Sequence, residues 1–346
     1  MKVSVVTAPG ETRVVDAPKP TVGPADVLVK IRACGICGTD AFFISMGGIP
    51  GHDGGMPSPC PSGGRCPQGH EPAGEVVEVG GDVVGIAVGD HVVINPMAAP
   101  SGIIGNGGPS GALSEYLLIE NAVRGTSLEV VPGHIPFEVA ALNEPMAVAR
   151  HGVSRCEPQP SDKVLVFGAG PIGLGATIAF KSLGVSHVVV ADLIPGRLQK
   201  ALKVGADAVI NSAEENVADR LLELHGASES IFPGKVGTDI YFDAAGAPAV
   251  IDTALAAAKP GARLGVVAVH KQPVPVDFLN IMSNEITIVG SMGYPDEIFE
   301  VTKDLIANWE RYAVIVSHTI PFDDVVEALK TASTPGAADK VVVTFN

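Results

Sequence analysis

The sequence predicts a mixed α/β plus β architecture in two parts, a partly closed antiparallel β-barrel followed by a doubly wound parallel sheet with helices on both faces. Short β-branched runs separated by Gly and Pro fill about the first 150 of the 346 residues. From Ser161 onward, strand-like runs alternate with helical stretches, the rhythm of a parallel sheet. Pro158 to Asp162 reads as the boundary, and no internal repeat interrupts either part.

Barrel strands are expected at residues 3–6, 27–32, 74–79, 91–94 and 115–119. The second part should hold strands at 163–167, 187–191, 208–210, 239–242, 263–269 and 286–289, with helices at 171–183, 196–204 and 217–224. Residues 164–180 carry no charge and approach the length of a membrane span. Gly168, Gly170, Pro171, Gly173 and Gly175 punctuate that run, so a buried strand turning tightly into a helix explains it better. A helix is expected over 296–308, then a strand-turn-helix-strand tail ending at 340–345. That tail could close the parallel sheet or return to the first part; spacing alone leaves both open.

A formal net charge of −15 repels phosphate backbones and anionic headgroups, which argues against nucleic acid and membrane surfaces as partners. Five cysteines, an odd number, do not form the dense framework of a small secreted domain and fit a reducing compartment, the cytoplasm. The opening residues, with one lysine and an early Pro9-Gly10, do not read as a signal peptide.

The strand at 163–167 runs into Gly168-Ala-Gly170-Pro171-Ile172-Gly173, a G-x-G-x-x-G pattern followed by an apolar helix. Gly168 permits the tight turn, Gly170 lets the backbone approach a pyrophosphate, and Gly173 permits close packing of the helix, whose N-terminus offers free amides. Pro171 suits the first helical turn. Asp192 follows at the end of the next strand, 19 residues beyond Gly173, where a carboxylate accepts hydrogen bonds from both ribose hydroxyls and repels a 2′-phosphate. NAD is therefore expected over NADP, although Arg197 stands close enough in sequence to meet a phosphate. The plainer alternative is that Asp192 only caps the following helix.

In the first part, Cys34-Gly-Ile-Cys37-Gly-Thr39-Asp40 and Gly69-His70-Glu71 place thiolate, imidazole and carboxylate beside small residues. These are the ligand types of a catalytic zinc, whose fourth position stays open. Cys34 and Cys37 form a C-x-x-C that could instead be a redox pair or half of a structural zinc site, but there is no second C-x-x-C to complete one. A purely structural role for Cys37 and His70 is the competing reading.

The series Cys37-Gly-Thr39-Asp40, Gly69-His70-Glu71 with Gly74 and Glu75, Val88-Gly89-Asp90-His91-Val92, Glu144-Pro145 and the Gly168 pattern resembles the zinc-dependent medium-chain alcohol dehydrogenases along nearly the whole chain. Glu71 and Glu144-Pro145 resemble its polyol branch, which includes sorbitol, 2,3-butanediol and threonine dehydrogenases. The resemblance implies a GroES-like barrel formed by residues 1–155 and completed by 293–346, with a Rossmann NAD-binding domain at 156–292. It implies that Cys37 and His70 hold one catalytic zinc, with Glu71 and Glu144 as alternative or additional ligands or as groups behind a bound water. Members commonly form dimers or tetramers, so a homodimer or homotetramer is expected.

Two departures qualify the pattern. Residues 95–108, where many relatives carry four cysteines around a structural zinc, contain none, so one zinc per chain is expected. Five residues beyond Cys37, where a proton-relaying histidine often stands, the chain has Phe42. Thr39 is then left to hydrogen-bond the substrate oxygen and pass its proton outward. Phe42, Phe43, Met46 and Ile49 suggest an apolar wall suited to a small secondary alcohol, vicinal diol or cyclic ketone, or else belong to the core. The run 47–69 reads as a loop, with His52, Cys60 and Cys66 offering a second metal site or a reversible disulfide. The competing functions are a zinc-free quinone or enoyl reductase of the same superfamily and a non-catalytic NAD-binding protein.

Overall fold

Val27–Gly35 is almost wholly buried, as its β-branched run requires, and it organises the first unit. In the computed structural model, which describes residues 1–48, 66–228, 233–334 and 336–346, one edge of this strand pairs antiparallel with Glu71–Val79. Its other edge is shared: Val27 to Lys30 pair with Tyr116–Ile119, and Ala33 to Gly35 pair with Val341–Thr344. Register shifts at Leu28/Val29 and Ile31/Ala33 bend the strand. His91–Ile94 and Leu128–Val131 extend the sheet beyond Glu71–Val79.

The tail returns to this sheet. His318–Pro321 pairs parallel with Val341–Thr344, and Phe322, Val325, Leu329, Val341 and Val343 join Val27, Val29 and Ile31 in one apolar cluster. Met1–Pro145 and Ile298–Asn346 accordingly form one compact unit, and Met146–Glu297 the other. Among the elements of this unit without a signal in the apolar pattern, three bear on its architecture. Glu11–Asp16 is mostly exposed and exists by pairing with Lys2–Ala8; Leu128–Val131 is a four-residue strand; Gly38–Met46 is a helix that ends on left-handed Gly47.

In the second unit six strands run parallel, in the order Ala208–Asn211, His187–Asp192, Lys163–Phe167, Ile240–Asp243, Arg263–Val266, Thr287–Gly290. Succession reverses between Lys163–Phe167 and Ile240–Asp243, the switch point at which open α/β sheets bind ligands. Helix Pro171–Ser182 is buried from Gly173 through Phe180, which accounts for the missing charges. Among the described residues no helix is long and apolar enough to cross a membrane. Arg263–Val266 stops short of the expected 269 because the Val267 and Ala268 amides both turn to the Asp243 carbonyl, at 3.1 Å.

This unit contains a buried pH-sensitive pair. His225, 2% exposed, bonds Thr238 Oγ1 through Nδ1 at 2.7 Å and His187 Nδ1 through Nε2 at 3.0 Å. Burial, then His187 and Lys163, push its pKa down to about 4; Asp239 opposes them and Lys259 adds to them. The fold therefore favours the neutral ring, so the stabilisation is complete above the unfolded-state pKa of about 6.5 and is lost as pH falls towards 4. We predict a fall in unfolding free energy approaching 3 kcal/mol across that window, on the order of 1.36 kcal/mol per pKa unit. Calorimetry should show a shallower pH slope for His225→Gln; an identical slope would place the effect elsewhere.

Candidate functional site

Cys37 occupies the N-cap of helix Gly38–Met46, and the buried Asp40 carboxylate, one turn in, accepts the Cys37 amide at 2.9 Å. Its other oxygen accepts the Gly69 amide at 3.3 Å and lies 3.6 Å from His70 Nδ1. One carboxylate thus ties both loops together and sets its charge beside the imidazole, beyond hydrogen-bond distance of Nδ1. Gly69 is left-handed (φ 86°), and a side chain there would meet Leu113 N at 2.7 Å and Cys34 Sγ at 2.9 Å. Glu71 opens the next strand opposite Gly35. Ligand atoms of Cys37, His70 and Glu71 consequently lie within 4.8 Å of one another.

This donor set fits a zinc ion. Glu71 Oε1 is buried without a hydrogen-bond partner, and thiolate, imidazole and carboxylate form a mixed set with room for a further ligand. The local field also favours a cation. Burial opposes a charged His70, yet Asp40, Cys37 and Glu144 hold its pKa well above the ordinary value. Glu144, 7% exposed in the first turn of Asn143–Arg155, stands outside the three-residue group while its charge acts on His70.

Sequence reasoning missed Lys340 entirely. Its side chain, 3% exposed, forms an ion pair with Glu71 Oε2 and donates to the Ile36 carbonyl at 3.0 Å. Burial works against its charge, but Glu71, Cys37 and Glu144 outweigh that and raise its pKa. Cys34, by contrast, is a buried thiol pointing to the Gly35 carbonyl at 3.5 Å; burial, then Asp40 and Glu71, keep it protonated. Cys34 and Cys37 are both free, and Cys34 stands outside the ligand group.

Thr39 Oγ1 accepts from Cys37 Sγ at 3.4 Å, beside the donor group. Phe43 is buried, whereas Phe42 and Met46 are 46% and 38% exposed. Ile49, His52 and Cys60 lie outside the described residues; Cys66 is disulfide-bonded. The cysteine-free lobe closes by main-chain bonds, Ile104 N to Pro96 O at 3.1 Å and Gly105 N to Ser110 O at 2.7 Å, over the buried Ile104. Left-handed Gly105 presses on Gly69, whose carbonyl would be 2.0 Å from a Cβ there.

At the switch point of the second unit, Gly168 (φ 93°) donates to the Ala191 carbonyl at 2.7 Å and turns the chain. A Cβ on Gly173 would fall 1.7 Å from the Gly168 carbonyl, whereas Gly170, the N-cap, has open space around it. Pro171 and Ile172 begin the helix, leaving its first amides free for an anion. Asp192 accepts the Ala169 amide at 2.7 Å and the Ile194 amide at 2.8 Å. Since Ile194 is itself the cap of Pro195–Lys203, Asp192 ties the glycine turn to its own strand end; it is not the helix cap. Arg197 stands half-buried in the first turn of that helix. Asp243, fully buried, flanks the same turn. It accepts the Ala245 and Gly246 amides at 2.9 Å and contacts His270 Nε2 at 2.6 Å. A lone acid ending a strand gave no warning of this.

Both halves have counterparts among known proteins. Residues 23–126 match the alcohol dehydrogenase GroES-like domain, and residues 171–308 match the zinc-binding dehydrogenase family. An (R,R)-butanediol dehydrogenase of Neisseria gonorrhoeae is 33% identical, covering 85% of this chain and 84% of its own. A sorbitol dehydrogenase of Bacillus subtilis is 30% identical, over 85% and 82%. The crystal structure of 2R,3R-butanediol dehydrogenase from Bacillus subtilis superposes with a TM-score of 0.84 at 28% identity, over 100% of this chain and 99% of that one. With a GroES-like unit carrying the donor group and a Rossmann unit carrying the glycine turn, this chain belongs to the polyol branch of the zinc-type medium-chain alcohol dehydrogenases.

Proposed function

We propose that the protein is a zinc-dependent, NAD-linked dehydrogenase that interconverts a small secondary alcohol or vicinal diol and its ketone, with one zinc per chain. The observation that carries this reading is the convergence of Cys37, His70 and Glu71. Zinc bound there supplies a Lewis acid that lowers the pKa of an alcohol oxygen. Asp40 and Glu144 set negative charge around the imidazole. Thr39 Oγ1, beside the donor group, would hydrogen-bond the substrate oxygen and pass a proton outward to water or the cofactor ribose as it accepts one, since Phe42 stands where a relaying histidine would. The Gly168 to Gly173 turn holds the pyrophosphate, and Asp192 selects the unphosphorylated ribose. A zinc-free reductase, or a protein that only binds NAD, would have no use for the three donors.

We also propose a cytoplasmic homodimer or homotetramer. The sparse, odd cysteine count of the sequence supports a reducing compartment; Cys34, Cys37 and Cys156 are free, whereas the disulfide at Cys66 counts against it. Exposed Phe278 (77%), Leu279 (68%), Met282 (67%) and Met292 (92%) near the edge strand Thr287–Gly290 support self-association, which sedimentation velocity measures directly.

The test is NAD reduction across a panel of diols, secondary alcohols and polyols. 2,3-Butanediol should be oxidised with NAD at least about tenfold faster than with NADP. No turnover of any alcohol with either cofactor would overturn the reading.

A further inference from the structure

Buried lysine-glutamate pairs are weak stabilisers, because desolvating both charges offsets most of their attraction. The Lys340–Glu71 pair is nevertheless built with care. The Lys340 backbone is fixed at Ser317, its amide donating to the hydroxyl at 3.0 Å and its carbonyl accepting the Ser317 amide at 2.9 Å. Its side chain leaves the strand edge, crosses Gly35 and reaches Glu71 on the far side, with the Ile36 carbonyl as a second acceptor. Gly35 makes the crossing possible: a Cβ there would lie 1.9 Å from Glu71 Oε2 and 3.0 Å from Lys340 Cε. Glu71 is 1% exposed, so no solvent screens the pair.

We propose that Lys340 is a positioning residue that competes with the metal for Glu71, holding that carboxylate in reserve and thereby setting how tightly the site keeps its ion. The inference rests on the zinc reading above. Oε2 faces the ammonium and Oε1 is left for the metal, so the two cations share a single negative charge. Each cation therefore weakens the other's claim, and the like charges of lysine and metal add to the opposition. Removing the lysine charge leaves a buried, unpaired carboxylate in the metal-free protein, which metal binding relieves. Zinc should then bind more tightly, not less.

The experiment is zinc competition on the intact protein against a chromophoric chelator, with Lys340→Met, Lys340→Arg and Lys340→Gln. Lys340→Met should hold zinc at least about tenfold more tightly than wild type. Lys340→Gln, which keeps a donor for the Ile36 carbonyl, should behave alike and serves if the methionine variant does not fold. Lys340→Arg, which keeps the charge, should stay near wild type. In a Glu71→Gln background the effect of Lys340→Met should vanish, and the cobalt(II)-substituted protein should change its visible spectrum on Lys340→Met only when Glu71 is present. Unchanged or weaker zinc binding in Lys340→Met, or a shift that persists without Glu71, would overturn the inference. Wild-type protein that takes up no zinc would instead defeat the zinc reading itself.

Discussion

Replacing Cys37 with serine is expected to lower NAD-linked alcohol oxidation about a thousandfold or more, while NAD binding stays within about twofold. The thiolate is the softest of the three clustered donors and the one a neutral hydroxyl least resembles. Serine is a good helix cap, so Gly38–Met46 should survive and the loss should report on the ion rather than on folding. The Gly168 turn lies in a unit with a core of its own, built on Leu165, Val189, Tyr241 and Leu264. Asp40→Asn provides the graded comparison. It leaves every donor in place but loosens the hold on the Cys37 and Gly69 amides and removes a charge beside His70, and should cost about 10- to 100-fold in metal affinity. Zinc content by plasma mass spectrometry, with NADH absorbance on the same samples, measures both. A Cys37→Ser protein with full zinc and full turnover would remove this residue from the site.

The second large effect is expected at Asp192. Its oxygens secure the Ala169 and Ile194 amides and retain lone pairs for ribose hydroxyls. Charge-assisted hydrogen bonds are worth roughly 1.5 to 3 kcal/mol each, so losing two lowers kcat/KM for NAD by about a hundredfold or more in Asp192→Ala. NADP should improve in the same variant, since the repelling charge is gone and Arg197 stands in the next helical turn. Steady-state kinetics with both cofactors yields the ratio directly. An unchanged ratio would mean that Asp192 only braces the turn.

What the sequence made legible was local. The strand, glycine turn and helix from Lys163 to Ser182 follow from a few consecutive residues, and the structure has them almost where expected. Cys37 and His70 stood out because each sits beside a glycine in a short motif, and Glu71 because it follows His70 directly. Lys340 was hidden for the opposite reason. It reaches Glu71 only because a late strand pairs with Gly35, and nothing near Lys340 in the chain announces that partner. The same non-local pairing decides the fate of the tail, which spacing left open. Asp40 was visible as part of a motif, but its task depends on Gly69 and His70, brought to it from a distant loop. Glu11–Asp16 owes its strand to a neighbour rather than to any apolar face of its own.

The contact of Gly105 with Gly69 runs from peptide to peptide, so no rotamer change can absorb a bulkier residue at position 105. The lobe therefore works as a spacer that gauges how far the imidazole-bearing loop can retreat. Its own shape is kept by hydrogen bonds and the Ile104 plug, so a side chain at position 105 is expected to displace the peptide that precedes His70.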